Sequence, residues 1–243
     1  NIQKPTLLKK ILNSISTTKA TVDAVDANGR TGIHGYQISP NGKFAFHTYS
    51  SHNTPRVQEW LKLPANKPLN EAKSIEATAK IDPTVDVEFV NIQVDDAITL
   101  NGWINKPKNF DSTKKYPVVF YVYGEPASST VKDSYGAQNN FLYKGDMRAD
   151  GYLQVTIDNR GSPVLKGAEW RKSIYRKIGD INIVDMARKK KKLLSMKPYM
   201  DKERTAVWGW SGGGSSTLHL LFRYPNLFQT GIAIAAVSNQ LFY

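Results

Sequence analysis

The sequence predicts an α/β protein, with a mostly parallel sheet over residues 85–243 and a β-rich segment over residues 1–84 before it. Three observations predict this. Short apolar, β-branched runs recur at 116–123, 152–157, 205–210 and 230–237. Helix-like runs lie between several of them, and strands alternating with helices call for parallel pairing. The first 84 residues instead read as strand-like runs joined by turn chemistry.

In the β-rich segment, residues 37–49 read as strand, tight turn, strand, because Pro40-Asn41-Gly42 is turn chemistry between β-branched and aromatic flanks. Residues 57–63 suit another short strand. The pattern fits a β-meander such as a piece of a propeller blade. A propeller needs about four to eight blades of roughly 40–45 residues, so this stretch is either a smaller unit or the tail of a larger domain. Pro64 and Pro68 interrupt regular structure, residues 70–80 read as a surface connection or short helix, and Pro83 marks the boundary.

From Val85 the pattern changes. Residues 87–94 and 98–105 alternate like an antiparallel pair around Asp95-Asp96, and 116–123 reads as a strand buried on both faces. Residues 137–149 have helical character, 152–157 form a second buried strand, and 179–195 a helix with Ile181, Val184, Ala187 and Leu194 toward one face. Residues 205–210 form a third buried strand, 212–222 a helix and 230–237 a fourth strand, with 232–237 buried.

Composition narrows the function classes. Forty per cent of the 243 residues are hydrophobic, which suits one or two globular domains. No apolar run approaches the roughly 18 residues of a membrane-spanning helix. The absence of cysteine removes disulfides, thiolate catalysis and cysteine–zinc sites, and no metal or cofactor is expected. A net charge of +12 raises a nucleic-acid partner, and Arg188-Lys189-Lys190-Lys191-Lys192 is its densest support. That run lacks aromatic interleaving and any recognised nucleic-acid motif, so it reads as a solvated helix face and no nucleic-acid partner is expected.

Gly209-Trp210-Ser211-Gly212-Gly213 matches G-x-S-x-G between a buried strand and a helix. A nucleophilic serine needs such a sharp turn, with small residues two before and two after it so that backbones pass closely. The Gly212 amide, opening a helix, then faces a developing oxyanion. A phosphate-binding loop would need Gly-Lys-Ser/Thr, which is missing. The second oxyanion donor belongs to the loop after the first parallel strand, Tyr123-Gly124-Glu125-Pro126. By itself Tyr123 reads either as a phenol donor or as a half-buried packing tyrosine. A general base is harder to find. His34, His47 and His52 precede the α/β part, and His219 lies eight residues beyond Ser211 on the following helix. None suits the chain order Ser, Asp, His, so all four read as structural or exposed.

The segments Tyr116-Pro-Val-Val-Phe-Tyr-Val-Tyr-Gly-Glu-Pro126, Asp158-Asn-Arg-Gly161 and Trp208-Gly-Trp-Ser-Gly-Gly-Gly214 together resemble the prolyl oligopeptidase family, closest to its bacterial dipeptidyl-peptidase IV branch. Ile38–Ser50 resembles a blade near the end of that family's propeller, and residues 85–243 resemble its α/β-hydrolase sheet, incomplete at the C-terminal end. The resemblance implies that Ser211 is the nucleophile, that the Gly212 amide and the Tyr123 hydroxyl form the oxyanion hole, and that Val237 and Tyr243 line the pocket for the residue before the cleaved bond, usually proline or alanine. Gly212 stands where the best-known members have tyrosine, and Gln240 where they have tryptophan, which implies a wider or more tolerant pocket. The triad Asp and His are expected after Tyr243, and the glutamates that hold the substrate amine before Asn1, so the chain is expected to be an internal fragment. The chain begins at Asn1 without a recognisable signal peptide. The resemblance implies peptide substrates and a full-length protein that is periplasmic or secreted and forms a homodimer. Two alternatives stand beside this reading: a carboxylesterase on the same fold, and a binding domain left catalytically incomplete by the missing acid and base.

Overall fold

The computed structural model describes residues 12–16, 21–25, 32–70, 73–74, 85–95, 98–140, 142–239 and 241. Pro83, Asp96, Gln240, Tyr243 and most of the predicted 70–80 connection lie outside the described residues. The described residues within Thr84–Val131 and Asn140–Tyr243 form one compact unit, and those within Thr6–Pro83 and Lys132–Asn139 form another.

The regular elements described in the second of these units are all strands. Strands β1 (Leu12–Ser16) and β2 (Thr21–Val25) pair antiparallel. Strands β3 (Ile33–Ile38), β4 (Phe44–Ser51), β5 (Thr54–Lys62) and β6 (Lys67–Pro68) form an antiparallel sheet in chain order, and β7 (Lys73–Ser74) also pairs with β5. The turn at Pro40-Asn41-Gly42 closes as its chemistry demands, with Gly42 N donating to Ser39 O and Asn41 Oδ1 accepting from Lys43 N. One face of this sheet carries a buried polar file. His34 Nδ1 lies 2.9 Å from His47 Nε2, and His47 Nδ1 lies 2.8 Å from Glu59 Oε1. His52 pairs with Asp133 at 2.7 Å.

The first unit is built on a six-stranded sheet: β8 (Val87–Asp95), β9 (Ile98–Asn105), β10 (Tyr116–Tyr121), β11 (Leu153–Ile157), β12 (Met200–Trp210) and β13 (Thr230–Ile234), in the order β13-β12-β10-β11-β9-β8. The strands from β10 onward run parallel, and β8 and β9 form an antiparallel flank. Among the described residues three helices accompany the sheet: α1 (Gly167–Lys172), α2 (Ile181–Met196) and α3 (Gly212–Arg223). Leu153–Ile157 is buried along its whole length, as a central parallel strand must be. The chain passes from β10 to β11 on one side, then crosses back to place β12 on the other side of β10. In open parallel sheets the crevice beyond the carboxyl ends of strands at such a reversal is where ligands bind.

Four expectations need correction. Residues 137–140 and 142–149 form turns, not a helix. Gly136, Gly145 and Gly151 punctuate the region, and Asp146 Oδ1 takes the amides of Arg148 and Ala149 in a local turn. Residues 232–237 are not a buried strand. Strand β13 is at the sheet edge, paired among the described residues with β12 alone, and Ile232 is 62% exposed. The buried face of α2 is rotated from the expected one: it carries Ile183, Met186, Ala187, Lys190 and Leu193, with Asn182, Asp185 and Lys189 beside them. The basic run is accordingly not a solvated face, because Lys189 and Lys190 are buried while Arg188, Lys191 and Lys192 point outward.

The two lysines bury their stems and carry their ammonium groups to acceptors on the sheet, one just past the end of β11 and one within β12. Lys189 Nζ donates to the Asp158 carbonyl at 2.6 Å. Lys190 Nζ donates to Thr205 Oγ1 at 2.6 Å and lies 4.3 Å from the Phe228 ring centre. Burial pushes Lys189 down to about 7, against the pull of Asp185 and Asp158, and Lys190 down to about 8. Unfolded lysines hold their protons to an ordinary value of 10.5. Above pH 7 the unfolded chain therefore binds more protons than the folded one, and stability rises with pH; below pH 7 the burial penalty is complete. We expect urea unfolding of the full-length protein to show stability rising between pH 7 and pH 9. The Lys189 contribution is on the order of 1 kcal/mol per pH unit at most, and Lys189→Met should lose that contribution and keep only the rise that Lys190 supplies above about pH 8. An identical slope in the variant would contradict this assignment.

Candidate active site

Strand β12 ends at Trp210, and α3 starts at Gly212. Ser211 alone makes the turn, with φ 56 and ψ −120. A non-glycine residue held there costs about 1–3 kcal/mol and persists only where its surroundings enforce it. Here they do: Ser211 N donates to Ile234 O of β13 at 2.9 Å, and Ser211 O accepts the first helical bond of α3 from Ser215 N at 3.0 Å. Ser211 Oγ makes no hydrogen bond among the described residues, so the hydroxyl is not spent on capping α3.

The glycines around the serine answer to close approach. A Cβ on Gly209 would run into the Gly213 carbonyl, and one on Gly213 into the Val122 carbonyl at the end of β10. Without side chains at these positions, the first turn of α3 rests directly on the loop that follows β10. That contact brings Tyr123 beside the serine turn, and Ser216 Oγ of α3 donates to Tyr123 O at 3.1 Å. The Gly212 amide lies in the first turn of α3, where the helix dipole favours negative charge.

A polar network behind the β10 loop fixes it further. Asp158, at the end of β11, accepts from Thr130 N at 2.7 Å, Thr130 Oγ1 at 2.8 Å and Val131 N at 3.3 Å. Asn159 Nδ2 donates to Gly124 O at 3.3 Å. Arg160 makes a forked pair with buried Asp185 of α2, Nη2 to Oδ1 at 2.8 Å and Nε to Oδ2 at 3.1 Å. Lys189 adds its bond to the Asp158 carbonyl. Two carboxylates thus meet two cationic groups, and three consecutive residues after β11 connect α2 to the loop carrying Tyr123.

Ser211, Gly212 and Tyr123 are therefore brought to one place at the carboxyl ends of β12 and β10. Val237 lines a cavity of about 370 Å³ beside Gly212, and its carbonyl accepts from Ser215 Oγ at 3.0 Å. Tyr243 lies outside the described residues. The pocket is not simply widened at Gly212, as the sequence implied: the Glu125 carboxylate occupies the space a side chain there would take. Sequence reasoning gave no role to Glu125, Asn159 or Ser216. The Asp158-Asn159-Arg160 run at a strand end was the available signal, but nothing in sequence spacing shows what its side chains grip. His219 lines the same cavity, while His34, His47 and His52 belong to the other unit. Among the described residues no cluster of three or more His, Asp or Glu is arranged to hold a metal, and no helix is long and apolar enough to cross a membrane.

A parallel sheet with a strained serine between strand and helix, glycines on both sides and the Tyr123 loop at the neighbouring strand defines the α/β-hydrolase class. Residues 142–243 match the prolyl oligopeptidase family. The protein named "Probable dipeptidyl-aminopeptidase B" of Botryotinia fuckeliana (strain B05.10) is 30% identical across 99% of this chain and 26% of its own length. Its counterpart of the same name in Ajellomyces capsulatus (strain NAm1 / WU24) is 36% identical across 64% of this chain and 16% of its own length. The crystal structure of Porphyromonas gingivalis dipeptidyl peptidase 4 superposes with a TM-score of 0.83 at 30% identity, covering 97% of this chain and 33% of that one. This chain belongs to the prolyl oligopeptidase family, and it spans at most about a quarter of the length of these curated relatives.

The close approach at the serine turn can be tested directly. Gly213→Ala in the full-length protein should push the β10 loop off α3, and labelling of Ser211 by a fluorophosphonate should fall by at least about a hundredfold. Labelling at the wild-type rate would show that the contact does not shape the site.

Proposed function

We propose that the full-length protein is a serine peptidase that hydrolyses peptide bonds through an acyl-enzyme on Ser211, releasing dipeptides from peptide N-termini. The observation that carries this reading is the strained Ser211 turn, with the Gly212 amide and Tyr123 held against the same turn of α3. The names of the relatives support the dipeptidyl step. Proline or alanine before the cleaved bond, and a dimeric protein working outside the cytoplasm, are carried from the resemblance.

In this mechanism Ser211 Oγ attacks the scissile carbonyl while a histidine, expected after Tyr243 in the full-length protein, takes its proton. The carbonyl oxygen becomes the oxyanion, which the Gly212 N–H stabilises from the first turn of α3 and the Tyr123 O–H stabilises by turning from Glu125, to which it makes only a long bond of 3.5 Å. The amine leaves with the proton from the histidine. Water, deprotonated by the same histidine, then releases the acyl group and restores Ser211.

Ser211→Ala in the full-length protein should abolish fluorophosphonate labelling and turnover of a dipeptidyl chromogenic substrate. Tyr123→Phe should lower kcat by about 10²–10³ with a smaller change in KM, since the oxyanion exists only along the reaction. Unchanged turnover in Ser211→Ala would exclude this serine as the nucleophile. Hydrolysis of simple esters without any peptide cleavage would replace the peptidase reading by the esterase one.

A further inference from the structure

Glu125 follows the oxyanion-loop tyrosine by two residues, and its carboxylate rests on Gly212, next to the nucleophile. Among the described residues its one hydrogen bond is a long one, 3.5 Å from Tyr123 Oη, and no lysine, arginine or histidine pairs with it. It lines the cavity beside Gly212 together with Asn182, Ser215, Ser216, His219 and Val237, and among the described residues no lysine or arginine lines that cavity. A half-buried carboxylate without a cationic partner is costly, and a ligand that brings the cation removes the cost. The position matters as well as the sign. A carboxylate beside Gly212 with no cationic side chain paired to it opposes the oxyanion that forms against the Gly212 amide, so a cation delivered by the substrate assists the chemical step as well as binding.

We propose that Glu125 is a specificity-determining residue whose carboxylate receives the ammonium or guanidinium of a lysine or arginine placed before the cleaved bond, with the side chain lying in the cavity that Val237 lines. This rests on the peptidase reading and widens its substrate class beyond proline and alanine. The absent side chain at Gly212 gives the carboxylate its place, and among the described residues no other carboxylate lines the cavity to compete for the cation. The apolar stem of the incoming residue packs against Ile183 and Val237.

The test compares full-length protein and Glu125→Gln on dipeptidyl substrates carrying arginine or its neutral isostere citrulline before the leaving group. The wild-type protein should favour arginine at least tenfold in kcat/KM, and the variant should bring the ratio to within about twofold of one. No preference in the wild type, or a preference that survives Glu125→Gln, would overturn the proposal. A second arm needs no turnover: in Ser211→Ala protein, calorimetry should show benzamidine binding at least tenfold more tightly than benzamide, and Glu125→Gln should erase the difference. Equal binding of the two would overturn the proposal, whereas failure of the peptidase reading shows separately, as absent fluorophosphonate labelling of Ser211.

Discussion

Val122 O, at the end of β10, lies so close to the first turn of α3 that no side chain fits between them. The candidate site follows from that approach. It sets Tyr123 beside the turn that carries Ser211, and it forces glycine at positions 209 and 213, where any Cβ would meet backbone that cannot yield. It also makes the strain at Ser211 sustainable. A positive φ at a serine would relax if the turn were free, but β13 holds the Ser211 amide and α3 holds its carbonyl. The order of the strands provides the geometry, since the reversal between β10 and β12 leaves a crevice only at their carboxyl ends.

The polar network behind the loop is a second layer of the same constraint. Asp158, Asn159 and Arg160 leave the end of β11 in succession and grip three different things: the 130–131 amides, the Gly124 carbonyl and Asp185 of α2. A buried ionic cluster is a poor source of stability and a good source of position. Lys189 fits that description, fully buried on α2 with its ammonium on the Asp158 carbonyl. The cluster fixes α2, β11 and the β10 loop relative to one another, and burial already brings Lys189 to the edge of losing its charge near neutral pH.

Much of the α/β sheet was legible in the sequence, for identifiable reasons. The central strands announce themselves by unbroken β-branched runs such as Leu153–Ile157, and G-x-S-x-G between such a run and a helix is informative because sterics demand it. What misled was polarity read one residue at a time. Five consecutive basic residues suggested a wet face, yet the period of Ile183, Met186, Lys190 and Leu193 runs straight through them, and two lysines follow their neighbours into the interior. The turn region at 137–149 has a helix-like composition, but Asp146 and the surrounding glycines offer the backbone local partners that a helix would have to displace. Glu125 was invisible for a different reason: only a fold that places it on Gly212 gives its charge meaning, and that contact joins residues far apart in sequence.

The measurement that tests the central claim most directly is a crystal structure of the full-length protein after reaction with a dipeptidyl phosphonate. The account predicts phosphorus bonded to Ser211 Oγ, with the phosphonyl oxygen about 2.7–3.1 Å from both the Gly212 amide and the Tyr123 hydroxyl. An adduct on another residue, or one on Ser211 whose oxygen turns away from Gly212 and Tyr123, would contradict it.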